Sequence, residues 1–152
     1  MIRCRCVAKA KRKKTALSEA PTCNCLLLCD DVLESKGRGK HTLQGVIGGI
    51  TVKELPATLG GYVAYVRGSN AYVRQKLTLE FIEPVEEAAL FAIEVEFERH
   101  EPLDVFTLIV PVPAFVVEAP GRYILRAMHN NVDVASSAIM IRTASAGGGN
   151  NG

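Results

Sequence analysis

The stretch Phe91-Ala92-Ile93-Glu94-Val95-Glu96-Phe97-Glu98 decides the fold class. Phe91, Ile93, Val95 and Phe97 fall on one side of an extended chain, and Glu94, Glu96 and Glu98 fall on the other. A period of two with acids on the wet side is the pattern of a half-buried antiparallel strand. Residues 76–82 repeat it, with Leu77, Leu79 and Phe81 facing in and Lys76, Thr78 and Glu80 facing out. Glu83, Pro84, Glu86 and Glu87 lie between the two as a polar connection, which predicts a hairpin.

Further strands follow on either side. Residues 62–67 make a third, ended by Gly68-Ser69-Asn70. Residues 105–110 make a fourth, and Pro111 and Pro113 after it mark an edge strand or an irregular crossing, because proline cannot donate to a ladder. Residues 121–129 turn at Asn130-Asn131 and return through 132–142, since asparagine tolerates the positive φ of tight hairpin turns. Ser136-Ser137 interrupts the alternation there and predicts a bulge. Residues 25–32 are nearly all apolar, as in a strand covered on both faces. A turn over 35–40 leads to one strand over 41–52, whose Gly45, Gly48 and Gly49 signal a bulge or a close backbone approach. No segment reads as a helix. The expectation is an all-β chain, an antiparallel sandwich of about seven to eight strands.

At 152 residues, 48% hydrophobic and 22% charged, the chain has room for one domain with a real core. Its charge is unevenly placed. Seven of the eighteen Lys and Arg lie in residues 1–14 with no acid, which leaves eleven bases against sixteen acids beyond them, a net −5. The reading is a basic flexible head over 1–22, either a true extension or an upstream start, a sandwich domain over 23–143, and a flexible Gly/Asn tail over 144–152. The longest apolar stretch, residues 108–117, is too short for a membrane helix of about 20 residues and is broken by proline. Leu26-Leu27-Leu28 is too short for the apolar part of a secretory signal. All five cysteines fall in the first 29 residues, whereas a disulfide scaffold spreads them through the fold. The expected location is the cytoplasm.

Leu26-Leu27-Leu28-Cys29-Asp30-Asp31-Val32, then Gly39-Lys40-His41-Thr42-Leu43-Gln44-Gly45-Val46, then Leu55-Pro56, resemble an uncharacterised bacterial family of small immunoglobulin-like β-sandwich proteins. The closing Pro120-Gly121-Arg122-Tyr123 segment is similar to the last hairpin of many immunoglobulin-like sandwiches. The resemblance covers roughly residues 25–143 and implies that architecture without an established activity. The chain has no Trp and no second cysteine placed for an inter-sheet bridge, so the likeness to antibody domains is architectural.

Each residue that could carry chemistry also has a packing role open to it. Cys4, Cys6, Cys23 and Cys25, with Cys29 nearby, supply enough thiols for a zinc ion. A single residue between paired cysteines strains a tetrahedral site, and Cys25 and Cys29 also read as small apolar groups of a buried strand. Asp30 and Asp31 at the end of an apolar strand are a candidate ligand or cation site. The structural alternative is one acid capping the next turn and the other pairing with Lys40 or Arg38. Lys9, Lys11, Arg12, Lys13 and Lys14 offer only nonspecific phosphate contacts, with no aromatic side chain to stack a base.

Catalytic motifs are incomplete. Glu34 and His41 stand where a phosphate loop around Gly39-Lys40 needs Gly and Ser or Thr. Pro102 and Asp104 spoil a zinc-protease reading of His100-Glu101. No cofactor is expected. The favoured reading is a noncatalytic module that offers an edge strand or loop set to a protein partner. The alternative is a small-ligand or carbohydrate-binding sandwich using Tyr62, Tyr65, Tyr72 and Tyr123, although Tyr62 and Tyr65 alternate to opposite faces and Tyr123 reads as core; exposed tyrosines would favour it and buried ones would not.

Overall fold

The computed structural model describes residues 3–4, 20–36, 39–71, 74–98 and 105–144. The basic run 9–14, Cys6, Tyr72, His100-Glu101 and residues 145–152 of the tail lie outside them. Twelve strands and no helix form among the described residues. The first four are β1 (Arg3–Cys4), β2 (Thr22–Glu34), β3 (His41–Val46) and β4 (Gly49–Val52). Next come β5 (Ala57–Leu59), β6 (Val63–Ser69), β7 (Arg74–Glu83) and β8 (Ala88–Glu98). The chain ends with β9 (Phe106–Pro111), β10 (Phe115–Val117), β11 (Gly121–His129) and β12 (Val132–Thr143).

These strands make a six-stranded sheet in the order β1-β8-β7-β11-β12-β4, a four-stranded sheet β3-β2-β6-β9, and a small pair β10-β5. The alternation read from residues 76–98 sets the inner layer. Leu77, Leu79, Phe81, Val95 and Phe97 are buried beside Tyr123, Leu125, Ile139 and Ile141 of the same sheet. Leu26, Leu28, Ala64, Val66, Phe106, Leu108 and Val110 of the four-stranded sheet belong to the same core. Phe97 and Phe106 meet across the layers at 4.8 Å between ring centroids. At one end, Phe81 stacks on Phe91 and on Tyr123, each at 5.6 Å, and Phe115 packs on Phe81 at 5.0 Å. On the wet face, Arg126 bridges Glu80 at 2.9 Å and Asp133 at 3.8 Å, and Lys76 reaches Glu94 at 3.6 Å. Such half-exposed pairs contribute little stability; burial of the opposite face holds the layer.

Several expectations are met residue by residue. β7 and β8 form the hairpin, and β9 is the edge of its sheet. Asn130 and Asn131 take φ of 54° and 67°, the left-handed pair of a type I′ turn. Tyr123 Oη donates to the carbonyl of Ala119 at 2.6 Å, the bond that ties the entry of this strand in immunoglobulin-like sandwiches.

Others are corrected. The strand count exceeds the expectation because β1, β5 and β10 are two or three residues long, too short to show a period. The strand expected over 41–52 is two strands in different sheets: β3 pairs with β2, and after a break at Ile47-Gly48, β4 runs parallel to β12. A wholly antiparallel arrangement is thus corrected by that one parallel edge. The β12 bulge falls at Val134, opposite the Ala127/Met128 step, and Ser136 and Ser137 stay in regular register with Arg126 and Leu125. A second shift, at Phe81/Ile82, leaves Leu90 of β8 as the extra residue, while β7 keeps regular register with β11 through the same two residues. The strand holding residues 25–32 is covered on both faces only as far as Cys29, since Asp30 and Asp31 are exposed.

Candidate functional site

The outer face of the four-stranded sheet carries the site. Tyr65 lies opposite Leu27 on β2, while His41 lies opposite Glu34, seven residues further along the same strand. In a straight strand those seven residues would separate the two rows by about 23 Å. The rings of His41 and Tyr65 nevertheless meet edge to face at 5.7 Å. The β2–β3 hairpin therefore curls back over β6. Gly45 supplies the kink: it sits at φ 65° inside β3, and the Asp30 carboxylate occupies the space a Cβ would need.

Curling encloses a cleft of about 760 Å³. The hairpin contributes Glu34, Gly39, Lys40 and His41; β6 contributes Tyr65 and Arg67; β9 contributes Thr107 and Ile109, with Val105 just before it. A second hollow of about 580 Å³ continues past the His41–Tyr65 contact toward Asn24, Cys25 and Leu43. Glu34 Oε2 stands 3.7 Å from His41 Nε2, an ion pair whenever the imidazole is protonated. Arg67 and Lys40 form no ion pair among the described residues. The site is thus a shallow trough floored by Thr107 and Ile109 beside the buried Tyr65, with two cations, Arg67 and Lys40, that are not ion-paired among the described residues.

The residues singled out from sequence are dispersed. Asp31 Oδ1 accepts from the amide of the next residue, Val32, at 2.8 Å. Asp30 packs over Gly45, and its charge, after burial, helps raise the Tyr62 hydroxyl above its ordinary range. Neither aspartate pairs with Lys40 among the described residues, and Arg38 lies outside them. Cys4 takes its place in β1 opposite Val95 of the six-stranded sheet, while Cys23 and Cys25 lie in β2 of the other sheet. Burial pushes the Cys23 thiol up to about 11 and raises Cys29 as well, which disfavours the thiolate that a metal ligand must be. Cys23, Cys25 and Cys29 are free thiols. No group of three His, Cys, Asp or Glu able to hold a metal is found among the described residues, and no helix there is long and apolar enough to cross a membrane.

Tyr65 and Tyr123 are 6% and 2% exposed, and Tyr62 is half-buried against Phe115. The trough's residues were missed as a group because they come from four strands and the turn between β2 and β3. Arg67 did carry a local signal, being the one charge in the otherwise uncharged strand Val63–Ser69.

Two facing sheets, the edge-switching β4 and the Tyr123 corner define an immunoglobulin-like β-sandwich. Within that class, residues 24–142 match the model of a family of unknown function (DUF6941), and the chain belongs to that family. No curated protein matches the chain. A crystal structure of an immunoglobulin-like protein from Pseudomonas aeruginosa is 16% identical, with 83% of this chain and 99% of that one covered. Its TM-score of 0.40 is too low to build on.

Proposed function

We propose that the protein is a noncatalytic interaction module that accepts an extended segment of a protein partner as an added strand on β9. The observation that carries this is the open side of β9. Among the described residues β9 pairs only with β6, in unbroken register from Gly68↔Phe106 to Val63↔Pro111. Its unpaired main-chain groups are a template for another strand, and its outward side chains, Thr107 and Ile109, form the floor of the trough. The other edges are less suited: β3 is kinked at Gly45, β4 has four residues, and β8 is covered by β1 at Val95 and Glu96 and carries the charges of Glu94, Glu96 and Glu98, which oppose edge pairing. The burial of Tyr65 and Tyr123 favours this reading over a carbohydrate-binding face, which needs exposed aromatic rings.

Affinity capture with the full chain, compared with its Ile109→Lys variant, tests the proposal. A lysine on an edge strand blocks pairing, so a partner enriched by the wild type should be lost from the variant while its unfolding midpoint stays near that of the wild type. Equal capture by both would remove β9 as the docking edge. Empty lanes for both would return the weight to a small ligand.

A further inference from the structure

We infer that the segment added to β9 carries a carboxylate in the row of Arg67 and, two residues away, an aliphatic side chain in the row of Tyr65. The inference rests on the strand-addition reading and names the chemistry of its partner. Arg67 lies opposite Thr107, and Tyr65 lies opposite Ile109. Side chains of cross-strand partners share a face, so residues of an added strand opposite Thr107 and Ile109 would continue those rows outward from the open side of the trough.

The distances favour an acid in the first row. Two strand spacings put the added residue's Cα about 10 Å from that of Arg67, with only the short Thr107 between them. An arginine and a glutamate side chain together span that gap and meet above the threonine. The guanidinium fork can then give a carboxylate two parallel hydrogen bonds. Lys40 lines the same trough from the hairpin side.

Charge points the same way. Arg74, Lys76 and Arg126 are already matched by Glu98, Glu94 and Glu80 on the other sheet. In the trough Arg67 and Lys40 form no ion pair among the described residues, and with Glu34 beside His41 they set two cations against one acid. The body beyond residue 14 carries net −5, so this pair is a local attraction for an anionic chain on an otherwise repelling surface. In the second row the half-buried Ile109 and the buried ring of Tyr65 offer apolar contact and no charge.

Fluorescence anisotropy of the full chain with the peptides STETITS and STQTITS tests this. The glutamate peptide should bind about tenfold tighter than the glutamine peptide. Arg67→Gln should bring it down to the glutamine peptide's affinity and leave the latter unchanged. Equal binding of the two peptides by the wild type, or a preference that survives Arg67→Gln, overturns the acid selection. Two further versions of the glutamate peptide, each N-methylated on one set of alternate amides, report separately on strand addition. One must lose binding if its main chain pairs with β9, and retention by both sinks strand addition itself. Absence of binding by either parent peptide at about 1 mM removes both readings.

Discussion

Tyr123 joins the core to a strand entry through a single hydroxyl. Its ring stacks on Phe81 at 5.6 Å, and its Oη donates to the carbonyl of Ala119 at 2.6 Å. Tyr123→Phe keeps the ring and loses the bond, and water can reach the exposed Ala119 in its place. The expected loss is about 1 kcal/mol in urea unfolding. An unchanged midpoint would show that the corner contributes nothing. His129, at the end of β11, sets an acid limit. Burial holds its imidazole below the ordinary 6.5, so the folded state prefers the neutral ring. From pH 6.5 downward the unfolded chain takes up a proton that the folded chain refuses, so stability present above that pH is lost as pH falls toward the folded pKa. His129→Gln removes this step. Wild-type and variant stability curves that run parallel between about pH 7 and pH 5 would contradict it. At this scale Tyr123 was legible as a core residue from its place in an alternating strand. The half-burial of His129 was not, since it depends on neighbours beyond its own turn.

At the scale of elements, the β2–β3 hairpin depends on one residue. Gly45 adopts a left-handed conformation and leaves room for the Asp30 carboxylate. Gly45→Ala places a methyl group against that carboxylate and strains the backbone, at an expected cost of about 1–2 kcal/mol. The loss should be local: amide hydrogen exchange should quicken in β3 and stay slow in β7 and β8. Uniform acceleration throughout the protein would instead make the hairpin part of the global folding unit. The glycines of residues 45–49 announced an irregularity in the sequence, but not its outcome. Glycine permits a kink without dictating its direction, so the transfer of β4 to the other sheet was hidden. The serine pair misled for a related reason. Ser136 and Ser137 break the apolar alternation while the backbone stays regular, because the extra residue is taken up at Val134.

For the whole molecule, charge is divided between a basic first segment and an acidic body. Deleting residues 1–19 should therefore abolish retention on a DNA column at low salt, because the remaining chain repels phosphate. The cut falls before Pro21, which is buried, and Thr22, which pairs with Ser69, so β2 is spared. Retention that survives the deletion would place a phosphate-binding surface on the sandwich. The amino-acid sequence by itself determined the class: two-residue alternation over residues 76–82 and 91–98, the Asn130-Asn131 turn and the proline-limited β9 edge all follow from local rules. Each involves residues within a few positions of one another, where sterics and the choice between water and core act directly. Only the tertiary structure decided the trough. Glu34 and Lys40 come beside Arg67 and Thr107 because a kinked hairpin folds over a sheet face that is built partly from a strand more than sixty residues away. A period along the chain records which side of a strand is buried; it carries no information about which distant strand will lie across it.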